Sequence, residues 1–249
     1  METRSVASQG ARTGVVAAGL GAARRELAVV AAVLVVAAGT IGFLSVADAV
    51  TDNHTRAFDM GLILMLRQPG DIATPIGPPW LRLAAIDITS LGSIIDLTVI
   101  VLVVAGLFVA LRQRMAALLL LAAAGSGLLA VDILKTVVGR ERPPLAMHAV
   151  QVANASFPSG HAMLSATVYL SLATLAGHFA HSRPVRIYAL AAGVTVTLVV
   201  GASRVYLGVH WPTDVIAGWA LGAAWAMIWW LITWFVEHRR QRPGTAGPA

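Results

Sequence analysis

The chain has 249 residues, of which 57% are hydrophobic and 12% charged, with a mean hydropathy of +0.77. A soluble domain carries about 25% charged residues, so this is the composition of an integral membrane protein. The absence of cysteine excludes disulfides, thiolate nucleophiles and cysteine metal sites. The net charge of +6 is spread in short clusters between apolar stretches rather than gathered into the basic stripe of a nucleic-acid binder.

Residues 1–26 form a basic N-terminal tail. The apolar run after it is too long for a signal-peptide core and lacks a convincing cleavage site, so 27–50 is read as an uncleaved first span. A helix crossing a bilayer needs about 20 mostly apolar residues. The next segment, 54–68, has too short an apolar run, and its mixed faces suit a helix lying in the interface. Pro69, Pro75, Pro78 and Pro79 then break the chain. Five more spans are predicted at 91–111, 115–137, 161–181, 186–206 and 212–235, and a tail at 237–249. The predicted fold class is all-α: a polytopic membrane helix bundle of six transmembrane helices with an interfacial helix after the first, its spans forming one domain over 27–236.

Six spans place both termini on one side. The segments on that side hold Arg4, Arg12, Arg24, Arg25, Arg112, Arg114, Arg183, Arg186, Arg239, Arg240 and Arg242, which is 11 of the 18 basic residues. The positive-inside rule makes this side, with both tails, cytoplasmic. The opposite side holds Arg56, Arg67, Arg82, Lys135, Arg140, Arg142 and Arg204. Trp225, Trp229, Trp230 and Trp234 fall where a cytoplasmic aromatic belt belongs and are read as lipid anchors.

Three polar motifs fall at the outer face. Lys135 and Arg142 are seven residues apart, two helical turns, and are expected on one face at the end of the third span; Pro143 and Pro144 stop it. A cation at that depth is costly unless it faces a wet cavity or an anion. In Pro158-Ser159-Gly160-His161, Ser159 is a natural N-cap and Gly160 permits close backbone approach, so helix-terminal N–H groups would face an anion. Arg204 adds a third cation. His210 and Asp214 are one turn apart, with Pro212 suited to a first helical turn; Asp214 accepting from one ring nitrogen leaves the other as a nucleophile. Together these residues suit a phosphate. Asp132 is placed to pair with Lys135 or to make a polar interhelical contact, and Asp96 is a costly position within its span. His54, His148, His178 and His181 are read as bystanders. Gly218 and Gly222 fit either intramolecular packing or a dimer, so the oligomeric state stays open.

Lys135-x6-Arg142-Pro143, Pro158-Ser159-Gly160-His161 and Ser203-Arg204-x5-His210-x3-Asp214 resemble the tripartite signature of the type 2 phosphatidic acid phosphatase and vanadium haloperoxidase superfamily. All eleven specified positions are present, spread over residues 135–214. The six-span layout resembles the membrane branch of that family. The resemblance implies a lipid phosphate phosphatase needing neither metal nor other cofactor. His210 would be the phosphorus nucleophile, Asp214 its orienting partner and His161 the general acid, then base. Lys135, Arg142, Ser159, Gly160 and Arg204 would bind phosphate. Its permitted substrates include undecaprenyl diphosphate, which this compact layout favours, phosphatidic acid, phosphatidylglycerol phosphate and lipid A. A haloperoxidase is the second enzyme reading, opposed by the membrane composition; a transporter or flippase is the non-enzymatic one, opposed by the lack of an inverted repeat. A bacterial inner membrane, with the site on the periplasmic face, is the expected location.

Overall fold

The computed structural model describes residues 3–241 apart from 153 and 181; the side chains of 3–25, 178, 237, 240 and 241 lie outside the description, as do His181 and Arg242. The protein is a polytopic membrane helix bundle. Its elements are α1 (Thr3–Thr51), α2 (Arg56–Leu64), a hairpin of β1 (Arg67–Gln68) and β2 (Asp71–Pro75), α3 (Pro79–Ser90), α4 (Ile94–Ala110), α5 (Arg114–Val138), a 3-10 turn (Leu145–Met147), α6 (Gly160–Phe179), α7 (Arg183–Tyr206) and α8 (Pro212–Gln241).

Each predicted span is a helix. Among the described residues, four stretches are long and apolar enough to cross a membrane: Glu26–Thr51, Arg114–Val138, Arg183–Tyr206 and Pro212–Val236. The pair α3 and α4, bent by 48° at its break, is apolar enough to count as a fifth if the two form one span. Helix α6 carries Ser165, Thr167 and Ser171, all buried. It lies against α7 and α8 and also contacts α5, so its polar side chains face protein rather than lipid.

The departures from expectation are local. The N-terminal tail continues the first span as one helix of 49 residues, and α8 extends into the predicted C-terminal tail. The proline-rich stretch is structured: Gly70, with φ 82°, turns the hairpin, and Pro79 opens α3, where its missing N–H has no intrahelical acceptor to lose. Asp96 sits in the first turn of α4 rather than deep within a span, its N–H held by the Ser93 cap at 3.0 Å. A carboxylate there complements the helix dipole.

Close helix packing is bought with small residues. A Cβ on Gly218 would lie 2.8 Å from the Ser159 carbonyl oxygen, and one on Gly222 2.4 Å from that of Met163. On the other flank, a Cβ on Gly39 of α1 would lie 2.5 Å from the Ala220 carbonyl oxygen. The Gly218 and Gly222 stripe is therefore an internal seam between α8 and α6. Leu97, Val101, Leu120, Val131, Met163 and Val168 fill the core among α4, α5 and α6. Two of the four tryptophans depart from the lipid-anchor reading: Trp225 and Trp229 both donate to Ser126 Oγ of α5, at 3.0 and 3.2 Å.

At the end of the bundle that carries the hairpin, buried Arg67 donates to the carbonyls of Leu66, Tyr206 and Met147 at 3.0, 3.0 and 3.2 Å. It ties the hairpin to the C-terminus of α7 and to the 3-10 turn, satisfying carbonyls the helix leaves unpaired.

Candidate active site

The three motifs converge at one end of the bundle. Helix α5 ends at Gly139, which takes the left-handed conformation at φ 60°. Arg142 thus lies beyond the helix, and the expected shared helical face with Lys135 does not form. The two cations meet through a third segment instead: Lys135 Nζ donates to the Ala155 carbonyl at 2.5 Å and Arg142 Nη2 to the same oxygen at 3.4 Å. Lys135 forms no ion pair with Asp132, which is exposed on α5.

Ser159 caps α6 as expected, its Oγ accepting from Ala162 N at 3.4 Å. Its own N–H donates to the Asp214 carbonyl at 3.0 Å, which stitches the start of α6 to that of α8. A Cβ on Gly160 would sit 3.3 Å from Val131 Cγ1 and 3.7 Å from Lys135 Cε, so the small residue lets α6 begin directly against the lysine. His161 stands next, backed by Gly92 at the α3–α4 break, where an added Cβ would lie 3.3 Å from the His161 ring. That break also delivers Thr89, whose Oγ1 accepts from Arg204 Nη1 at 3.2 Å.

His210 precedes α8 and is 1% exposed. Arg142 Nη1 lies 3.1 Å from its Nε2. A guanidinium only donates, so Nε2 accepts and the ring proton rests on Nδ1. Nδ1 is 3.4 Å from Asp214 Oδ2 and 3.4 Å from Ser156 Oγ. The same carboxylate oxygen accepts from Ser156 Oγ at 2.5 Å and from Trp211 N at 2.9 Å. The last bond is the reciprocal arm of a capping box, since Asp214 is three residues into the helix that Trp211 opens. Local helix-start chemistry therefore sets the geometry of the His210–Asp214 pair.

The charges of the site divide into two groups. Arg140 pairs with Asp214 and Asp59 at 2.5 and 2.7 Å. Lys135, Arg142 and Arg204 have no carboxylate partner among the described residues: carbonyls, an amide oxygen, a hydroxyl and the His210 ring receive their bonds. Arg204 is 4% exposed, and its Nε has no partner among the described residues. Three clustered cations held by neutral acceptors present the field of an anion site.

Four residues of this end escaped the sequence reading: Ser156, Thr89, Arg140 and Asp59. Arg140 lies inside the first motif but was counted only as an outer charge, and Asp59 is hidden among the apolar residues of α2. His148 is also no distant bystander. It is half-buried, with Nε2 2.8 Å from the Pro143 carbonyl, and its pKa is lowered by burial and by the charges of Arg142 and Arg204.

Burial first, then the charges of Arg142 and Arg204, hold the His210 pKa down to about 3 against the pull of Asp214. Only the neutral ring keeps a lone pair on Nε2, so lowering the pKa keeps that lone pair available to lower pH. With His210 as the expected nucleophile, kcat/KM of the free protein should show no acidic limb as pH falls through 6.5, the ordinary histidine value. Stability moves the other way: below pH 6.5 the unfolded chain binds a proton that the folded site refuses, so detergent melting temperatures decline from 6.5 toward about 3. Matched pH–rate and pH–melting series check both signs; an acidic kinetic limb at 6.5 arising from His210 would contradict the burial argument.

A family model described as the PAP2 superfamily matches residues 116–238. Phosphatidylglycerophosphatase B of Bacillus subtilis strain 168 is 36% identical over 198 residues, covering 78% of this chain and 91% of that one. An undecaprenyl-diphosphatase of Sulfolobus acidocaldarius is 43% identical over 68 residues, 27% of this chain and 29% of that one. Among solved structures, the transmembrane PAP2-type phosphatidylglycerolphosphate phosphatase of Bacillus subtilis superposes with a TM-score of 0.73 at 29% identity, covering 84% of this chain and 98% of that one.

Proposed function

The chain belongs to the PAP2 superfamily as a membrane lipid phosphatase, and we propose that it cleaves a lipid phosphate or diphosphate at the outer face through a phosphohistidine on His210. The observation that carries this mechanism is the cage itself: three carboxylate-free cations around a buried imidazole whose Nε2 is an acceptor.

Attack begins when Arg142 transfers its hydrogen bond from Nε2 to a phosphate oxygen and frees the lone pair. Nε2 then forms a bond to phosphorus as the phosphorus–oxygen bond to the lipid breaks, with His161 protonating the leaving oxygen. Asp214 and Ser156 hold the Nδ1 side of the ring as it gains positive charge. Lys135, Arg142, Arg204, Ser159 and the Gly160 N–H stabilise the equatorial oxygens, the task that metal ions share in kinases. In the second half, His161 takes a proton from water, oxygen attacks phosphorus, and the N–P bond breaks to release phosphate and restore His210.

The likeness over 78% of this chain favours phosphatidylglycerol phosphate as the substrate over the undecaprenyl diphosphate that the layout alone suggests, because the undecaprenyl-diphosphatase likeness covers little of either chain. The distribution of arginine supports cytoplasmic termini and an outer site, and with the lack of cysteine and the uncleaved first span it supports a bacterial inner membrane. The test is phosphate release by detergent-purified protein from phosphatidylglycerol phosphate, undecaprenyl diphosphate, phosphatidic acid and lipid A, with EDTA and a His210→Ala control. Release is expected to survive EDTA, vanish in the control and be fastest with phosphatidylglycerol phosphate. Release that EDTA abolishes, or that His210→Ala retains, overturns the mechanism.

A further inference from the structure

The interfacial helix is wired to the nucleophile. Arg140 extends its fork between two buried carboxylates: Nη1 reaches Asp214 Oδ1 at 2.5 Å and Thr213 Oγ1 at 2.9 Å, while Nη2 reaches Asp59 Oδ2 at 2.7 Å and Thr55 Oγ1 at 2.9 Å. Asp59 on α2 is fully buried. Its two oxygens also accept from Thr213 N at 2.9 Å and Thr213 Oγ1 at 2.7 Å, in the first turn of α8. The guanidinium lies 5.6 Å from the centroid of the Trp211 ring. One turn further along α2, buried Ile63 packs with Trp211 and Met147. These contacts join α2 to the start of α8, the turn that carries the partner of His210.

We propose that Arg140, clamped by Asp59, is a positioning residue for the nucleophile: it fixes Asp214 through Oδ1 so that Oδ2 faces His210, and it sets the net charge the imidazole experiences. The inference rests on the phosphatase reading. A role in stability alone accounts poorly for the arrangement, because buried ion pairs cost desolvation and are often replaceable by apolar side chains without loss. What an apolar replacement cannot do is hold one carboxylate oxygen while leaving the other for the ring.

The charge count gives a signature. Asp214, Arg140 and Asp59 together carry one net negative charge. The other titratable or charged groups bearing on His210 are Arg142 after α5, Arg204 on α7, and Lys135 and His161 on α5 and α6, and these stay constant across the variants. Arg140→Gln makes the cluster more negative and raises the His210 pKa. Asp59→Asn makes it neutral and lowers it. The double variant Asp59→Asn/Arg140→Gln restores the wild-type charge and returns the pKa toward its wild-type value.

The experiment measures kcat, KM and the pH dependence of kcat/KM for wild type and these three variants, on whichever lipid phosphate the wild type cleaves fastest. Loss of nucleophile orientation is expected to reduce kcat about 100-fold in Arg140→Gln, with KM little changed. Its acidic limb should move up in pH and that of Asp59→Asn down, with the double variant near wild type and faster than Arg140→Gln. Limbs that coincide, or that move in one direction for both single variants, overturn the positioning role. If Arg140→Gln does not fold, Asp59→Asn and the double variant still decide the order of the limbs. Absence of phosphate release from the wild type defeats the phosphatase reading instead.

Discussion

His161→Ala protein given a diphosphate lipid labelled on its terminal phosphate should accumulate label on His210, whereas His210→Ala protein stays unlabelled. In the proposed mechanism the two histidines serve different halves of the cycle. Nε2 of His210 makes the covalent bond, so its loss removes the intermediate entirely. His161 supplies a proton to the leaving oxygen and later removes one from water, each worth roughly 100- to 10,000-fold. A lipid phosphate leaving from a diphosphate is acidic enough to depart without a proton, so the first half survives the substitution while hydrolysis stalls. An alkoxide leaving from a monoester is not, so the same variant should be inert and unlabelled with phosphatidylglycerol phosphate. Acid-labile, base-stable label with the diphosphate alone is the outcome that assigns the roles. Label in His210→Ala protein, or wild-type hydrolysis by His161→Ala protein, would refute them.

Gly222→Leu should give no monodisperse protein in detergent, whereas Gly125→Ala should behave like wild type. Leucine's Cβ alone would stand 2.4 Å from the Met163 carbonyl oxygen and 2.6 Å from Ala166 Cβ. The oxygen belongs to the backbone of α6, so relief requires separating two long helices rather than turning a side chain. Overpacking typically costs about 1–3 kcal/mol where neighbours can shift; here they cannot, and domain stability is only about 5–15 kcal/mol. The shift would also drag Ser159 from Asp214, since both lie on the seam. At Gly125 nothing lies within 4 Å of an added methyl, and alanine is the better helix former. Size-exclusion profiles and melting temperatures of the two variants check the contrast; a well-folded Gly222→Leu protein would show that the seam is not close-packed.

Hydropathy revealed the helices because lipid demands long apolar runs, and α4, α5 and α7 end within a few residues of their predicted limits. The same signal missed α3, which is short and half of a bent pair, and the hairpin after α2, which is held by Arg67 and the Gly70 turn rather than by a pattern of its own. The motif spacing was legible because His210 and Asp214 share the start of α8 and Ser159 caps α6, both local relations. The lysine–arginine relation was misread because Gly139 ends α5 between them. Arg140 and Asp59 were unreadable for a different reason: they are 81 residues apart, and neither position carries a local signal of the other.

Fixed cations held by neutral acceptors have a kinetic consequence for the membrane setting. Such a cage is charged and shaped before anything enters, so it gives orthophosphate leaving the site much the same welcome as the ester arriving. Discrimination then falls to the tail: a substrate confined to the bilayer is concentrated beside the site and held in one orientation, while the product escapes into bulk water. A preference for lipid over soluble phosphate esters is then expected from dimensionality, since both bring the same phosphate to the cage.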